Sequence, residues 1–485
     1  MGRAQVAPTP GGVCGAASPG GAHPAEGVRR RQSARDAAAR TYARALPLVP
    51  VRARGLTIEG ADGRRYLDCT SGAGALALGH NHPVVLEAIR RVLDSGAPLN
   101  TPDLATPVTD AFLAELHRTL PPGLAHRARV RFCDPSADDA LETACRWARA
   151  ATGRPGLLTF TDAHRRAASR SLDPCVAHQR AVSLADAPGH HCPHGLHGER
   201  GPDLAADWVA SVLDGPGSAS GLPAGVIVEP VQGEGGVFPA PDAWLRRMRR
   251  LTSDRSVALV VDETQTGLGR TGALWAVDHS GVTPDVMVLP PDIGGSLPLA
   301  VVVHREDLDG DHPVAGTAPF RGNQLAMAAG TATLAHIRRN GLAERAAHLG
   351  TRMLAQLRAL AEEFPIVRRV WGKGLLIGVE LVDAEGVGEL REASPDVEAQ
   401  GHNGVDGRTA RHNSELVVAL QRECLTRGLI VGPGGRHGRG VRLAPPLTIT
   451  DEQAAAVLDR LASAVEAVAQ SHGSVGQQHG PRVRR

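Results

Sequence analysis

The chain has 485 residues, 42% of them hydrophobic, which is enough apolar material for a large core and for two or three domains. Its 53 basic and 51 acidic residues leave a net charge of +2, without the basic excess or basic stripe that marks a nucleic-acid or membrane surface. No run of 18 apolar residues marks a membrane span and no charged-then-apolar leader opens the chain, so a cytoplasmic location is expected. The seven cysteines are odd in number and lack framework spacing, which fits reduced thiols. Of the 53 basic residues 52 are arginine, and the only lysine is Lys373. A genome rich in arginine codons accounts for most of that bias, but not for the loss of a lysine that a mechanism requires.

In chain order, residues 1–33 are rich in Gly, Pro and Ala without an apolar period and are expected to be disordered. Residues 34–85 are expected to join a small domain, with a hairpin over 57–68 around Ala61-Asp62-Gly63. Apolar spacing over 83–93 predicts a helix. Residues 86–335 form the expected large domain, in which apolar runs at 128–133, 156–161, 225–229, 258–262, 285–289 and 299–303 alternate with helical patterns at 140–151, 204–213 and 244–251. Near-continuous apolar strands separated by helices predict an α/β fold with a mostly parallel sheet covered on both faces. Ligands bind beyond the carboxyl ends of such strands, which makes Glu229 and Asp262 candidate site residues on topology alone. A helix over 324–337 leads into a second, smaller α/β domain over 336–470, with strands at 374–381 and 441–444 and a last helix at 451–468. The polar, Gly-rich stretch 384–413 reads as a flexible insertion, and 471–485 as a disordered tail.

Four segments carry more specific information: Glu229-Pro-Val-Gln-Gly-Glu-Gly-Gly236, Val261-Asp-Glu-Thr-Gln-Thr-Gly-Leu-Gly-Arg-Thr-Gly272, Gly294-Gly-Ser-Leu-Pro298 and Phe320-Arg-Gly-Asn-Gln-Leu-Ala326. In this order and spacing the chain resembles the class III aminotransferases of fold type I, which use pyridoxal phosphate (PLP), and within them the diaminobutyrate–2-oxoglutarate transaminases. Further matching stretches lie at 71–83, 95–116, 192–195 and 434–436, so the resemblance covers roughly residues 35 to 470. It implies a large domain with a seven-stranded sheet, a smaller C-terminal α/β domain and a dimer with its active site at the interface. Asp262 then matches the carboxylate that pairs with the protonated pyridine nitrogen of PLP, turning the ring into an electron sink. Gln265 matches the residue that bonds the ring hydroxyl, and Glu229 a substrate-pocket residue. Arg442 matches an arginine holding a substrate carboxylate in bidentate fashion; the alternative is a plain structural arginine.

The resemblance breaks at the chemistry. The family's Leu-Ser-Lys-Ala-Ile-Gly-Gly reads Leu289-Pro-Pro-Asp-Ile-Gly-Gly295 here, so the position of the Schiff-base lysine is Pro291. A proline neither holds a carbonyl cofactor nor shuttles a proton, and two prolines delete two backbone donors. Asp292 is the candidate base in its place. The phosphate cup reads Asp134-Pro-Ser-Ala-Asp-Asp139. Ser136 is kept beside Ala137 and suits a phosphate at a helix N-terminus. Asp134 and Asp138 bring new negative charge, and a unit like-charge pair at about 4 Å and a dielectric of about 20 costs about 4 kcal/mol. Their plainer role is to cap a helix starting near Asp139. The family's ring-stacking aromatic position falls at His164, followed by Arg165 and Arg166, which suit an anionic substrate, and Thr317 is the candidate phosphate contact across a dimer interface.

Three functions stay open on the sequence. One is a divergent, PLP-independent enzyme on this scaffold, acting on a small molecule through Asp292, His164 and Arg165. A second is a non-catalytic subunit that forms a homodimer or pairs with an active paralogue. A third is a weak transaminase with non-covalent PLP. His190-His-Cys-Pro-His194 with His197 reads as a solvated loop, with a metal site as the alternative, and the Asp138-Asp139-Ala-Leu-Glu142 pattern reads as helix capping, with a Mg2+ site as the alternative.

Overall fold

A computed structural model of the chain describes residues 47–102, 104–160, 182–183, 201–214, 221–233, 236–309, 320–382, 407–434 and 439–477, with positions 27, 28, 31 and 35 before them. Strands β1 (Pro50–Arg54), β2 (Thr57–Gly60) and β3 (Arg65–Asp68) form an antiparallel meander. The hairpin falls where the sequence places it: Asp62 accepts a bond from the Arg64 N–H at 3.1 Å and one from the Tyr66 hydroxyl at 2.6 Å, closing the turn. Helices α1 (Pro83–Ser95) and α2 (Pro107–His117) follow, both with proline in the first turn, where a missing N–H costs no helical bond.

The large sheet is built from β4 (Ala128–Cys133), β5 (Leu157–Thr159), β6 (Val182–Ser183) and β7 (Gly225–Val228), with a small hairpin, β8 (Val231–Gln232) and β9 (Phe238–Pro239), after β7. It is completed by β10 (Ala258–Asp262), β11 (Val286–Val288) and β12 (Ala300–Arg305). The order β4-β12-β11-β10-β7-β5-β6 makes seven strands, parallel except for β12, which runs against both neighbours. Strand alternation sends Ile227, Val260, Val286 and Val302 to one face, against α3 (Ala137–Thr152). Val226, Leu259, Val261, Met287 and Val301 point to the other face, in the same core as Trp244, Leu245 and Met248 of α5 (Asp242–Ser253); α4 (Gly201–Asp214) precedes it in the chain. Burial on both faces is what the unbroken apolar runs required.

Beyond the sheet, α6 (Gln324–Arg339) and α7 (Leu342–Glu363) lead to β13 (Val367–Lys373) and β14 (Leu376–Leu381), then α8 (Gly407–Thr426), β15 (Leu429–Ile430), β16 (Gly432–Gly434), β17 (Gly440–Leu443) and α9 (Asp451–Gln477). The antiparallel order β13-β14-β17-β16 forms one sheet, while β15 pairs in parallel with β3, tying the first strands to the end of the chain.

Several expectations are corrected. Helix α7 and strand β13 are additional elements, and Lys373 is the last residue of β13, just ahead of β14. Residues 407–413 of the expected insertion lie in α8 and residues 471–477 of the expected tail lie in α9, because extending an existing helix is far cheaper than starting one. Positions 27, 28 and 31 are helical within the leading stretch expected to be disordered. Among the described residues no helix is long and apolar enough to cross a membrane.

Candidate active site

A cavity of about 620 Å³ opens at the carboxyl edge of the large sheet. Its wall takes Ala137 from the start of α3, Thr264 and Gln265 after β10, Pro290, Pro291 and Asp292 after β11, and Arg442 from β17. The turn of Gly72 to Ala75 closes it on another side. Asp262 is the last residue of β10 and buried; its Oδ1 accepts the Thr264 N–H at 2.8 Å, which bends the chain so that Gln265 reaches the cavity. Gln265 Oε1 accepts from Arg442 Nη1 at 2.8 Å, joining the two sheets across the site. Gly233 makes this possible, since a Cβ there would stand 2.1 Å from Gln265 Oε1. Glu229 follows β7 directly, and its Oε1 stands 3.5 Å from the Gly233 N–H, closing the same loop.

The segment after β11 is a 3-10 turn, Pro291–Gly294, preceded by Pro290. The two prolines sit where a helix start has no intrahelical use for its N–H groups, so the deleted donors cost the fold nothing. The turn is closed by Ile293 N–H to Pro290 O (3.0 Å), Gly295 N–H to Asp292 O (2.8 Å) and Leu299 N–H to Pro291 O (3.1 Å). Gly295 has φ +60°, and a Cβ on it would lie 2.5 Å from Ala329 O of α6, so this turn is seated hard against that helix.

Charge in the cavity comes from Arg270, Asp292 and Arg442. Arg270 is 4% exposed and donates to Pro445 O. Burial draws its pKa down to about 10, opposed by the charge of Asp292 and reinforced by that of Arg442, so it stays cationic at neutral pH. Burial pushes Asp292 up to about 7, with the attraction of Arg270 holding it from rising further. Asp292 keeps partial accessible surface because it faces the cavity, yet protein encloses it otherwise. Behind the wall, burial also raises Glu263 to about 7, although its carboxylate takes the Val277 N–H at 2.8 Å and the Thr266 hydroxyl.

At the expected phosphate cup the capping assignment is corrected. Helix α3 begins at Ala137, not near Asp139, and its cap is Ser136, whose Oγ accepts the Asp139 N–H at 3.0 Å. Asp139 reaches back to the Asp134 N–H at 3.0 Å, and Glu142 lies 4.0 Å from Arg146. Asp134 Oδ1 is buried without a hydrogen-bond partner among the described residues. Ser136 and Asp138 flank Ala137, the residue of this segment on the cavity wall. Among the described residues no group of three His, Cys, Asp or Glu side chains could hold a metal.

Of the residues singled out in the sequence, Ala137, Gln265, Asp292 and Arg442 thus share one cavity, with Ser136, Asp138, Glu229 and Asp262 on the segments that frame it. His164, Arg165, Thr317 and the cluster His190 to His197 lie outside the described residues. Arg270 escaped sequence reasoning although it stands inside a quoted motif. Its signal was an arginine between Gly269 and Thr271 in a segment otherwise too small and apolar to host an unpaired cation.

Seven strands with β12 reversed, and the segments after β7, β10 and β11 gathered at their carboxyl edge, define the class of protein. The chain belongs to the class III aminotransferase family, whose model (Aminotransferase class-III) matches residues 37–465. It is 45% identical over 446 residues to a diaminobutyrate–2-oxoglutarate aminotransferase of Rhizobium meliloti (strain 1021), covering 90% of this chain and 92% of that protein. It is 35% identical over 446 residues to the protein of the same description from Haemophilus influenzae, covering 90% and 94%. The solved structure of an (S)-enantioselective omega-transaminase from Thermomicrobium roseum is similar with a TM-score of 0.74 at 25% identity, over 92% of this chain and 98% of that one.

PLP is the cofactor expected of this family, and the residues present fit it only in part. Gln265, in the space kept by Gly233, together with Asp262 suits a polar pyridine ring. The covalent end does not fit: the chain's single lysine, Lys373, pairs with Asp242 at 3.3 Å and is not on the cavity wall. Asp134 Oδ1, close to the start of α3, is a buried acceptor without a partner among the described residues, and its negative charge works against a phosphate at that helix N-terminus.

Proposed function

We propose that this chain is an aminotransferase-family protein that has left conventional PLP transamination, with Pro291 in the place of the family's Schiff-base lysine. One observation carries the reading: the cavity wall there is Pro290-Pro291-Asp292, and the chain's only lysine is engaged elsewhere with Asp242. No lysine is left to hold a carbonyl cofactor or to carry a proton between substrate and cofactor.

The protein is a divergent, PLP-independent enzyme acting on a small molecule. Asp292 is its acid–base group: a carboxyl with a pKa of about 7 gives and takes a proton at neutral pH with little bias. Arg442 and Arg270 bind an anionic group of the substrate on the wall that also carries Asp292. His164 and Arg165 belong to the same proposal as further groups of this site. The pairing of β3 with β15 supports a small domain made of residues 34–85 and 336–470 around the large domain of 86–335.

A second reading, a subunit paired with a copy of itself or with an active relative, draws on one feature. Leu99 (48% exposed), Leu104 (69%) and Phe320 (64%) lie on two segments held together by the Thr101 N–H to Gly322 O bond, an apolar surface of the kind a partner covers.

The test is spectroscopic. The purified chain is mixed with PLP, freed of unbound cofactor and scanned between about 300 and 500 nm, the range in which pyridoxal chromophores absorb; 2,4-diaminobutyrate is then added. The proposal expects no retained chromophore. A retained band that the diamine converts to the pyridoxamine form would restore transaminase function and end the proposal.

A further inference from the structure

The residues that fit the family's cofactor and those that do not lie at different parts of the cavity. Much of the wall is apolar, with Pro290, Pro291, Leu376, Pro433 and Ala444, and its polar side chains are few. Apolar sides with a few placed polar groups suit a flat ring that carries heteroatoms. Gln265 has its Oε1 on Arg442 Nη1 at 2.8 Å, so it offers a ligand its amide N–H groups, as a ring hydroxyl oxygen requires. Asp262, 6% exposed at the end of β10, adds a carboxylate two residues before Thr264, which is itself on the wall. A hydroxypyridine ring is therefore still provided for.

The phosphate end is not. Helix α3 opens on the cavity wall with Ala137, and Asp134, Asp138 and Asp139 all lie within three residues of it. Two backbone donors of this segment are taken internally: the Asp139 N–H by Ser136 Oγ at 3.0 Å and the Asp134 N–H by Asp139 Oδ2 at 3.0 Å. Asp134 Oδ1 is buried and without a partner among the described residues, and Arg146, one helical turn further on, stands 4.0 Å from a fourth acid, Glu142. A phosphate dianion brought to this end meets like charge that the helix dipole alone would have to offset. A hydroxymethyl group at the same end brings no charge and can itself donate a hydrogen bond.

We infer that this cavity binds an unphosphorylated hydroxymethyl-hydroxypyridine, such as pyridoxine, in preference to its phosphate ester. The inference rests on the proposed absence of a covalently held carbonyl cofactor and names the ligand class of that same site. The cavity wall receives the ring, and the acids at the start of α3 set the preference by repulsion. The preference is a difference of non-covalent affinities, so a covalent bond of the kind Pro291→Lys would supply can outweigh it. A cavity of about 620 Å³ is ample for a ligand of this size.

Pyridoxine and pyridoxine 5′-phosphate are the matched pair that tests it, since they differ only by the phosphate. Each is titrated by calorimetry into the full-length chain without PLP. The expected result is pyridoxine binding about tenfold tighter or more. In the double variant Asp134→Asn, Asp138→Asn the phosphate ester is expected to gain about tenfold, which closes most of the gap. Equal affinities, a preference for the phosphate ester, binding of neither, or a gap that survives in the double variant would each overturn the inference. The wild-type comparison decides alone if the variant does not fold. A PLP chromophore retained by the wild-type chain in a parallel sample would instead sink the underlying reading, so the two failures are told apart.

Discussion

The central residues are Pro291 and Asp292, adjacent in sequence and opposite in physical character. On the proposed reading Pro291 removes a donor and an amine from a place where the family's chemistry needs both, while Asp292 adds a charge that the interior resists. Restoring the amine tests the first. Pro291→Lys is expected to hold PLP through gel filtration with a spectrum distinct from that of free cofactor, measured by absorbance; indifference to the change would mean that the cavity has lost the cofactor for other reasons, Asp134 first among them. The second shows in stability. Burial lifts the folded pKa of Asp292 from the ordinary 3.8 to about 7, so the folded state holds a proton that the unfolded state has released, and stability falls as pH rises from about 4 to about 7. Glu263, also at about 7, and Asp278, at about 6, act in the same direction, while His82, His279, His304 and His336, all lowered by burial, weaken the fold as pH falls. Only the difference between variant and wild type isolates Asp292. Thermal melts of Asp292→Asn against wild type are expected to show a stabilisation that grows across that window and levels above it; a constant offset would contradict the assignment.

At the scale of elements, the 3-10 turn Pro291–Gly294 is the piece on which the site depends. It joins β11 to the reversed strand β12 and is held against α6 by Gly295. Gly295→Ala meets both a positive φ and the Ala329 carbonyl, and is expected to cost about 2 kcal/mol in urea denaturation, with a loss of whatever ligand binding the cavity shows. How legible each element was follows from its burial. The inner strands read clearly because both faces are covered and every residue is apolar, as in Ala258–Asp262. Leu342–Glu363 was not read as a helix, although Leu342, Ala346, Leu349, Met353 and Leu357 carry its helical period, because charged residues break up the run. Asp262 and Gln265 were legible through their motif. Arg270 was not, since its role comes from what Pro445 and Asp292 bring to it across 175 and 22 residues of chain, and no local pattern encodes that. The cap at Ser136 was missed for a smaller reason: three acids in six residues drew the reading toward Asp134 and Asp138, while the hydroxyl made the bond.

For the whole molecule, the proposed reading separates fold from function. The strand order, the paired β3 and β15 and 45% identity to a diaminobutyrate–2-oxoglutarate aminotransferase fix the family, and none of them requires the lysine. On the reading of a paired subunit, the two exposed apolar segments are the surface that a partner would cover. Replacing Leu104 and Phe320 together by Asp is expected to shift the chain toward monomer in sedimentation, and an unchanged mass would remove that surface from the account. The central claim, that no amine of this chain serves a carbonyl cofactor in the cavity, is tested most directly by borohydride reduction of the PLP-treated protein followed by peptide mapping, with Pro291→Lys alongside. The account predicts a stoichiometric pyridoxyl group on residue 291 of the variant and none on the wild-type chain. A stoichiometric label on wild-type Lys373, accompanied by turnover of 2,4-diaminobutyrate, would contradict it.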